Sequence, residues 1–544
     1  MWATTKTNTA SLRAGCCEQR YLAAVVLMTL LAFVLRLPGL AWGMPVIGPY
    51  NSDNEHYVID AVVMASSRDP NPHWFGHPGS TVIYPLAITF ALTNRVDRAL
   101  GNTKEFVGPL FQQDPTAFYA IGRTYVALLG AASIPIGYAL GKRASSRFAG
   151  LASACILAIS PLHTIFSHMA RTGVVGTFWA SLGVLASVAI LRKTEWRYYV
   201  LAGVAFGLAV SSKYSIAPLI IGLPFAHFAR TCLNLRSSQH PKIPTTWGRL
   251  ATGMGLVVLT FALTTPFFFI DFPTVVENLR FERRTTNLSA DGLGPLQNAW
   301  WYLTVIIPGS RTWPAGGIGS VGAILAGLGT LTALRRRNLV LIVYLIASLS
   351  YLAGISVQAL HWNRWIIPIL PFVASLSGAG LEAFAFALRK IHAMPNWAAS
   401  GIVALVLVAS MWPIRISILH NVDRVIPNTR QLAQEWVETN LPYESRIIAE
   451  NYSIPITPGR FAHHAYLYSA GLQPLEYYYE NEYDYVIVSQ GMIVRYTAER
   501  ERYPDFVANY ERIRSELNLV KAVEPEPWKI SGPAIYIYQL PRRP

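Results

Sequence analysis

The feature that most constrains the fold is a succession of apolar segments, each near the length that crosses a hydrocarbon core of about 30 Å. The chain has 544 residues, and 52% of them are hydrophobic. After a first apolar run at residues 21 to 43, the further segments cover residues 82 to 93, 117 to 141, 148 to 168, 172 to 191, 198 to 229, 250 to 270, 316 to 334, 338 to 359, 363 to 388 and 396 to 418. This pattern excludes a soluble globular protein and predicts a polytopic α-helical membrane protein with about 11 to 13 spans.

Basic residues lie in the short loops between these segments. A net charge of +15 could suit nucleic acid, but this distribution is the one found in the cytoplasmic loops of membrane proteins, so no nucleic-acid partner is expected. The basic loops cover residues 142 to 147, 192 to 197, 230 to 249, 335 to 337 and 389 to 390. We therefore predict that these loops are cytoplasmic.

The basic amino-terminal segment, residues 1 to 20, sets the direction of the first span and is itself predicted to be cytoplasmic. All the basic loops are cytoplasmic only if residues 82 to 93 do not cross the membrane, so we predict that these residues form a helix along the membrane surface. A full crossing at residues 79 to 100 is the alternative. The carboxy terminus is then predicted to be extracytoplasmic. The expected location is a bacterial inner or plasma membrane.

None of the four cysteines, Cys16, Cys17, Cys155 and Cys232, falls in a segment predicted to lie outside. No structural disulfide is therefore expected.

The stretch from Tyr50 to Tyr84, directly after the first span, concentrates the polar residues of a chain in which only 14% are charged. It lies in a first outside loop predicted at residues 44 to 116. Its acids and histidines are Asp53, Glu55, His56, Asp60, Asp69, His73 and His77. We take this stretch as the predicted functional centre, for which the spans serve as scaffold.

The apolar segment at residues 198 to 229 must cross an even number of times, because both of its flanks are basic. At about 1.5 Å per residue it is too short for two full crossings, so a recessed hairpin is predicted, with its turn at Lys213. The ammonium group then meets a polar cavity or an anion, unless it extends outward to the surface. A second long outside loop, residues 271 to 315, suggests a lid or a binding segment.

Residues 420 to 544 differ from the rest, because apolar runs shorten and strand-like patterns alternate with helical ones. Strands are indicated at residues 485 to 488 and 534 to 538, and helices from Asn428 or Thr429 and near residues 500 to 517. We predict a small extracytoplasmic α/β domain here and a transmembrane domain over residues 21 to 419. No nucleotide-binding glycine motif occurs in the sequence.

The order of these features resembles the GT-C membrane glycosyltransferases, in particular glycosyltransferase family 39, the protein O-mannosyltransferases and aminoarabinose transferases. The resemblance rests on Ser52-Asp53-Asn54-Glu55-His56-Tyr57, on residues 71 to 84, on Ser160 to Gly173, on Gly207 to Tyr214 and on Arg364 to Pro371. Two positions depart from the family pattern: Asn54 stands where the signature usually has Glu, and Gly173 where members commonly have Asp.

The resemblance implies an inverting glycosyltransferase that moves a sugar from a polyprenyl-phosphate carrier to an acceptor hydroxyl at the outer membrane face. The acceptor is left open between a protein, a membrane lipid and a cell-envelope glycan. Two alternatives remain. One is a family member that binds a lipid-linked glycan without catalysis, and the other is a transporter or flippase of a lipid-linked substrate, which should show internal repeats and ionisable groups at mid-membrane.

Such a reaction needs a base for the acceptor proton and cations for the departing phosphate, which assigns roles to the candidate residues. Asp53 is the expected base, with Glu55 as its orienting partner or substitute, although Asp53 could instead cap a helix. The expected phosphate ligands are Lys213, Arg364, Arg283 and Arg284, whereas lipid headgroups are the alternative ligands of the arginines. The expected substrate-binding residues are His56, His77, Arg171 and His361. A cofactor is not certain, but a divalent metal ion is possible, with Asp53, Glu55 and His77 as its ligands.

Overall fold

A computed structural model describes residues 4–44, 55–99, 107–236, 246–282, 293–310, 315–358, 360–391, 394–457 and 459–541. Within these ranges, nineteen α-helices precede the C-terminal domain: α1 (Thr4–Val34), α2 (His56–Ser67), α3 (Ser80–Ala99), α4 (Val107–Gln113), α5 (Thr116–Ala144), α6 (Arg147–Ala158), α7 (Pro161–Ser167), α8 (Thr172–Ile190), α9 (Trp196–Ser212), α10 (Gly222–Arg236), α11 (Trp247–Thr264), α12 (Phe267–Ile270), α13 (Phe272–Glu282), α14 (Pro295–Trp301), α15 (Gly319–Arg335), α16 (Leu339–Ser356), α17 (Leu370–Arg389), α18 (Asn396–Ser410) and α19 (Ile414–Val425). The 3-10 turns Tyr214–Ile221 and Asn363–Ile369 lead into α10 and α17, and the π-helical turn Tyr302–Ile306 follows α14.

The helices confirm a polytopic membrane protein. Within the described residues, seven helices are long and apolar enough to cross a membrane, and the bent pair α6 and α7, with 55° between its halves, makes an eighth candidate. The predicted count of about 11 to 13 also includes α1, α9 and α15, whose apolar parts are shorter. The predicted helix at residues 82 to 93 is present within α3.

The basic loops lie together at one end of the bundle. Arg249 donates to the Thr194 hydroxyl at 3.2 Å, and Arg230 donates to the carbonyl oxygen of Leu191 at 3.2 Å. The Asn338 amide donates to the carbonyl oxygen of Ala144 at 2.7 Å. These contacts link loops that the sequence predicts to share one side of the membrane.

Three predicted boundaries differ from the observed ones. The first span, predicted to reach residue 43, ends at Val34 in α1, because Pro38 interrupts the apolar run and the chain turns. The hairpin predicted at residues 198 to 229 extends from Trp196 to Arg236, so its two arms are longer and less recessed than expected. The boundary predicted at residue 420 falls inside α19.

Helix α19 packs on the membrane domain. Asn421 donates its amide to the carbonyl oxygen of Leu35 at 2.8 Å, and Ser417 and Arg424 are also buried. The C-terminal domain therefore begins after α19, near Asn428.

Helix α17 is the most enclosed span, and it packs closely on α15. The Cβ atom of an alanine at Gly380 would lie 1.9 Å from the carbonyl oxygen of Leu325, and one at Gly329 would lie 2.0 Å from that of Leu376. Only glycine permits this approach, in which the Ser377 hydroxyl donates across the seam to the carbonyl oxygen of Gly322 at 2.8 Å. The two backbones are therefore in direct contact.

The predicted small α/β domain is confirmed. Its helices and strands are α20 (Thr429–Asn440), β1 (Arg446–Glu450), β2 (His463–Leu467), α21 (Leu475–Glu480), β3 (Tyr485–Ser489), α22 (Gln490–Ala498), α23 (Pro504–Glu516), β4 (Asn518–Val523) and β5 (Ile535–Gln539). The sheet order is β2-β1-β3-β5-β4, in which β1 is parallel to β2 and β3, and β5 is antiparallel to β3 and β4. Asn428 caps α20 by accepting from the backbone N–H of Arg430, as its position in the sequence predicts.

Candidate active site

Glu55 is the first described residue after the segment that carries Asp53, and it is 1% exposed. Its carboxylate accepts from Nε of Arg123 at 3.0 Å and from the backbone N–H of Ala170 at 3.0 Å. Arg123 in turn donates to the carbonyl oxygens of Leu40 and Trp42, at 2.7 and 2.9 Å. One ion pair thus joins the start of α2 to α5, to the turn before α8 and to the segment after α1.

Four residues of the sequence prediction lie outside the described residues. These are Asp53 and its neighbour Asn54, and the arginines Arg283 and Arg284 of the second outside loop. Their roles remain predictions.

The cations Lys213, Arg364 and Arg171 come together at the other end of the bundle from the basic loops. The Lys213 ammonium lies 5.7 Å from the centre of the Trp365 ring, and the Arg364 guanidinium lies 4.5 Å from that of Trp362. Arg364 and Arg171 both lie close enough to Lys213 for their charges to act on it. Because three like charges repel one another in this partly dry environment, the arrangement suits an anion such as a phosphate.

Their convergence has a local cause. The chain breaks at Lys213, where α9 ends and the residue adopts an extended conformation before the 3-10 turn. Arg171 stands in an extended conformation directly before α8, and Arg364 lies in the 3-10 turn that leads into α17. Each cation therefore projects from the end of a different helix.

Asp60 on α2 is a site residue that the sequence analysis does not single out. Its Oδ2 atom is buried and has no hydrogen-bond partner among the described residues. Burial raises the pKa of Asp60 to about 7, which is in the range suited to a general base. The nearby Tyr57 ring is within range of the charges of Asp60, Arg171 and Arg364, so this carboxyl group borders the cationic cluster.

The sequence signal for Asp60 is its spacing from His56 along α2. It lies four residues after His56, so the two residues share one face of the helix, as the helical period requires.

The histidines of the first outside loop lie beside one another, and one of them contacts the second outside loop. The ring centres of His56 and His77 are 6.2 Å apart, and His77 Nε2 lies 3.6 Å from a carboxylate oxygen of Glu282 on α13. The Asn71 amide donates to Asp271 at 3.0 Å, which ties the two loops together at a second point. Hydrogen bonds from Thr274 and from this amide hold the pKa of Asp271 below its usual range.

His361, the last of the predicted substrate-binding residues, packs edge-on against Trp301, with ring centres 4.6 Å apart. It directly precedes Trp362, whose ring contacts Arg364. The structure therefore places His361 at the border of the cationic cluster.

Among the described residues, no three His, Cys, Asp or Glu side chains gather in a way that would hold a metal ion. Glu55, one of the possible ligands, has its oxygens bonded to Arg123 and Ala170. The positive charge beside Glu55 therefore comes from an arginine, while Asp53, another of the possible ligands, lies outside the described residues. No step is assigned to a metal.

Gly173, where the family commonly has Asp, is the second residue of α8. A Cβ atom at this position would meet no atom within 4 Å. The chain thus has space for a larger side chain at this point but no carboxylate.

Two further arginines are buried in the membrane domain and are missed by the sequence analysis. Arg36 is fully buried and donates to Nδ1 of His163 at 3.0 Å, and Arg424 lies 5.0 Å from the centre of the Trp42 ring. The signal for Arg36 is its place in a predicted span, where an ionisable residue is rare and is a functional candidate by default.

Solved structures with a similar fold include the archaeal oligosaccharyltransferase AglB from Archaeoglobus fulgidus, in complex with an inhibitory peptide and a dolichol-phosphate. It matches with a TM-score of 0.51 and 15% identity over 91% of this chain and 72% of that chain. ArnT from Cupriavidus metallidurans in the apo state matches with a TM-score of 0.51 and 13% identity over 96% of this chain and 98% of that chain. No curated protein matches the sequence.

Residues 120–262 match the family model described as dolichyl-phosphate-mannose-protein mannosyltransferase. This segment runs from α5 to α11 and includes Arg123, Arg171 and Lys213. The resemblance drawn from the sequence is confirmed, and this chain has the fold of the GT-C membrane glycosyltransferases.

Proposed function

We propose that this protein is an inverting glycosyltransferase that moves a sugar from a polyprenyl-phosphate carrier to an acceptor hydroxyl at the outer membrane face. The observation that carries the proposal is the convergence of Lys213, Arg171 and Arg364 from three separate helix ends. A cluster of this kind can hold the phosphate of the donor and stabilise the charge that it gains as it leaves.

In the proposed reaction, the acceptor oxygen attacks the anomeric carbon of the sugar from the side opposite the phosphate. The new C–O bond forms while the bond from that carbon to the phosphate oxygen breaks, and this inverts the configuration. The electron pair leaves with the polyprenyl phosphate, and a carboxylate takes the proton of the hydroxyl. The cations act on the leaving phosphate and the carboxylate acts on the incoming hydroxyl.

Asp53 remains the proposed base. The pairing of Glu55 with Arg123 supports a positioning role, since it fixes the end of the segment that carries Asp53. Asp60 is a second candidate base, because its buried Oδ2 atom has no hydrogen-bond partner among the described residues and burial raises its pKa to about 7. The two acids can be separated by experiment.

The test uses the purified full-length protein in lipid nanodiscs with a panel of polyprenyl-phosphate sugars. We measure the release of polyprenyl phosphate and the anomeric configuration of the product. Lys213→Gln should lower kcat/KM by about 100-fold or more, because it removes a cation that acts on the leaving group. The matched control is Lys390→Gln. Lys390 follows the C-terminal end of α17, away from the 3-10 turn that carries Arg364, so this variant should leave the rate unchanged.

Asp53→Asn should lower kcat by about 100-fold or more if Asp53 is the base. Unchanged transfer by that variant, with a large loss in Asp60→Asn, would assign the base to Asp60 instead. If the wild type turns over none of the carrier sugars, the proposed activity fails. A product with retained configuration would reject the inverting mechanism.

A further inference from the structure

We propose that Arg495 of the C-terminal domain binds an anionic group of the acceptor, so that the acceptor is a molecule that carries phosphate or carboxylate beside its hydroxyl. The inference rests on the proposed function and adds a specificity residue and an acceptor class to it.

Arg495 lies on α22 at the junction of the two domains. Its guanidinium is 5.9 Å from the centre of the Trp362 ring, the same ring that Arg364 approaches to 4.5 Å. It also lies 5.9 Å from the ring of Tyr452, which follows β1. The same indole ring is therefore close to a cation of the C-terminal domain and to a cation of the cationic cluster.

The helix that carries Arg495 is firmly held. Ser489 caps α22 by accepting from the backbone N–H of Gly491, and its own N–H donates to the buried carboxyl group of Glu450 at 2.7 Å. On the inner face of the helix, Met492 and Tyr496 are buried in the domain core. The backbone position of Arg495 is thus fixed by the fold of the domain.

Arg495 differs from its neighbours in lacking a carboxylate. Among the described residues, its contacts are the two aromatic rings, and no acid lies within salt-bridge distance of it. By contrast, Arg502 pairs with Glu499 at 3.6 Å, and Arg512 pairs with Glu516 at 2.7 Å. Two guanidinium groups close to one ring repel each other, and an anion between the domains would relieve that repulsion.

The position of Arg495 indicates which substrate this anion belongs to. The lipid chain of the donor lies in the bilayer, and its phosphate is assigned to Lys213, Arg171 and Arg364. Arg495 approaches the same Trp362 ring from the C-terminal domain, and we infer that the acceptor reaches the site from this domain. An arginine at this position favours acceptors with a planar anionic group that accepts two parallel hydrogen bonds.

The test uses full-length protein in nanodiscs of neutral phosphatidylcholine, saturated with polyprenyl phosphate so that the donor site is filled. Glycerol 3-phosphate, which combines a hydroxyl with a phosphate, is then titrated, with glycerol as the neutral probe, and Kd is measured from the shift in Tm. We expect glycerol 3-phosphate alone to bind, and Arg495→Gln to weaken it by about tenfold or more. Arg495→Lys should keep part of the affinity.

The matched control is Arg500→Gln, which removes an exposed arginine of the same domain that pairs with Glu511 and should leave Kd unchanged. An unchanged Kd in Arg495→Gln, or no binding of glycerol 3-phosphate to the wild type, would overturn the proposal. So would a loss of affinity for polyprenyl phosphate in Arg495→Gln, because Arg495 would then belong to the donor site. If the wild type binds no polyprenyl phosphate at all, it is the proposed function that fails, and glycerol 3-phosphate still tests Arg495 in the unloaded protein.

Discussion

Glu55 in the membrane domain and Glu450 in the C-terminal domain are buried to the same extent but are held by different kinds of partner. Each is 1% exposed. Glu55 is paired with the guanidinium of Arg123, whereas Glu450 accepts from the backbone N–H groups of Ser489 and Ala470 and from the Tyr510 hydroxyl. One site supplies a full positive charge, and the other supplies only dipoles.

This difference has consequences for the charge of each group. Burial raises the pKa of Glu450 to about 7, against the opposing effect of its hydrogen bonds, so this carboxyl group can be neutral in the folded domain. Glu55 lies beside a buried cation that also donates to two carbonyl oxygens and lies over the Tyr119 ring. The membrane-domain pair is therefore sensitive to the loss of either partner, and the soluble-domain site is sensitive to pH.

The largest expected effect is the loss of the cation beside Glu55. Arg123→Gln leaves the buried carboxylate of Glu55 without its hydrogen-bonded cation, and we expect it to lower the free energy of unfolding by about 3–5 kcal/mol. Thermal unfolding of the protein in nanodiscs measures this loss. The double variant Arg123→Gln with Glu55→Gln should recover part of it, because the stranded charge is gone.

The recovery would be incomplete, since Arg123 also donates to the carbonyl oxygens of Leu40 and Trp42. A double variant less stable than Arg123→Gln alone would show that the pair is not held by charge. The comparison with Glu450 would then lose its basis.

A smaller effect is expected from pH at Glu450. The pKa of Glu450 in the folded domain, about 7, lies above its ordinary value. At a pH between these two pKa values, the folded domain keeps a proton that the unfolded chain has lost. Stability is therefore full below the unfolded pKa and falls as pH rises toward 7, by about 3 kcal/mol in total. Hydrogen exchange of β1 and β3, corrected for intrinsic rates, should show this loss of protection.

The control for this experiment is Glu450→Gln, which cannot titrate and should flatten the pH dependence. An equally steep pH dependence in the control would assign the effect to another group.

The smallest of the three effects is expected from Tyr510→Phe. It removes the hydroxyl that donates to Glu450 at 2.5 Å and contacts Ser469 at 2.8 Å, which should cost about 1 kcal/mol. Because this hydrogen bond lowers the pKa of Glu450, its loss should move the midpoint of the pH profile upward. A midpoint that moves downward would mean that Tyr510 stabilises the protonated form.

The sequence was most informative where the length of an apolar segment and the charge of its flanks limited how the chain could cross the membrane. The segment at residues 198 to 229 was too short for two full crossings, which placed Lys213 at a turn, and the chain does break there. The partner of Glu55 was not predictable in the same way, because Arg123 lies 68 residues away. Asp60 was missed because its burial depends on how α2 packs, and Arg495 because its approach to Trp362 depends on how two domains meet. The local sequence pattern predicts helices and strands, whereas contacts between residues far apart in the sequence depend on the assembled fold.

The glycine contact between α15 and α17 also limits how the molecule can move. Backbones that touch at Gly329 and Gly380 leave no gap for an acyl chain, so the two helices shift only as one rigid unit. By contrast, only 22% of the apolar window of α11 is buried inside the fold, against 89% for the span that contains α17. The paired helices therefore act as a fixed wall of the bundle, whereas α11 is far less enclosed by the fold.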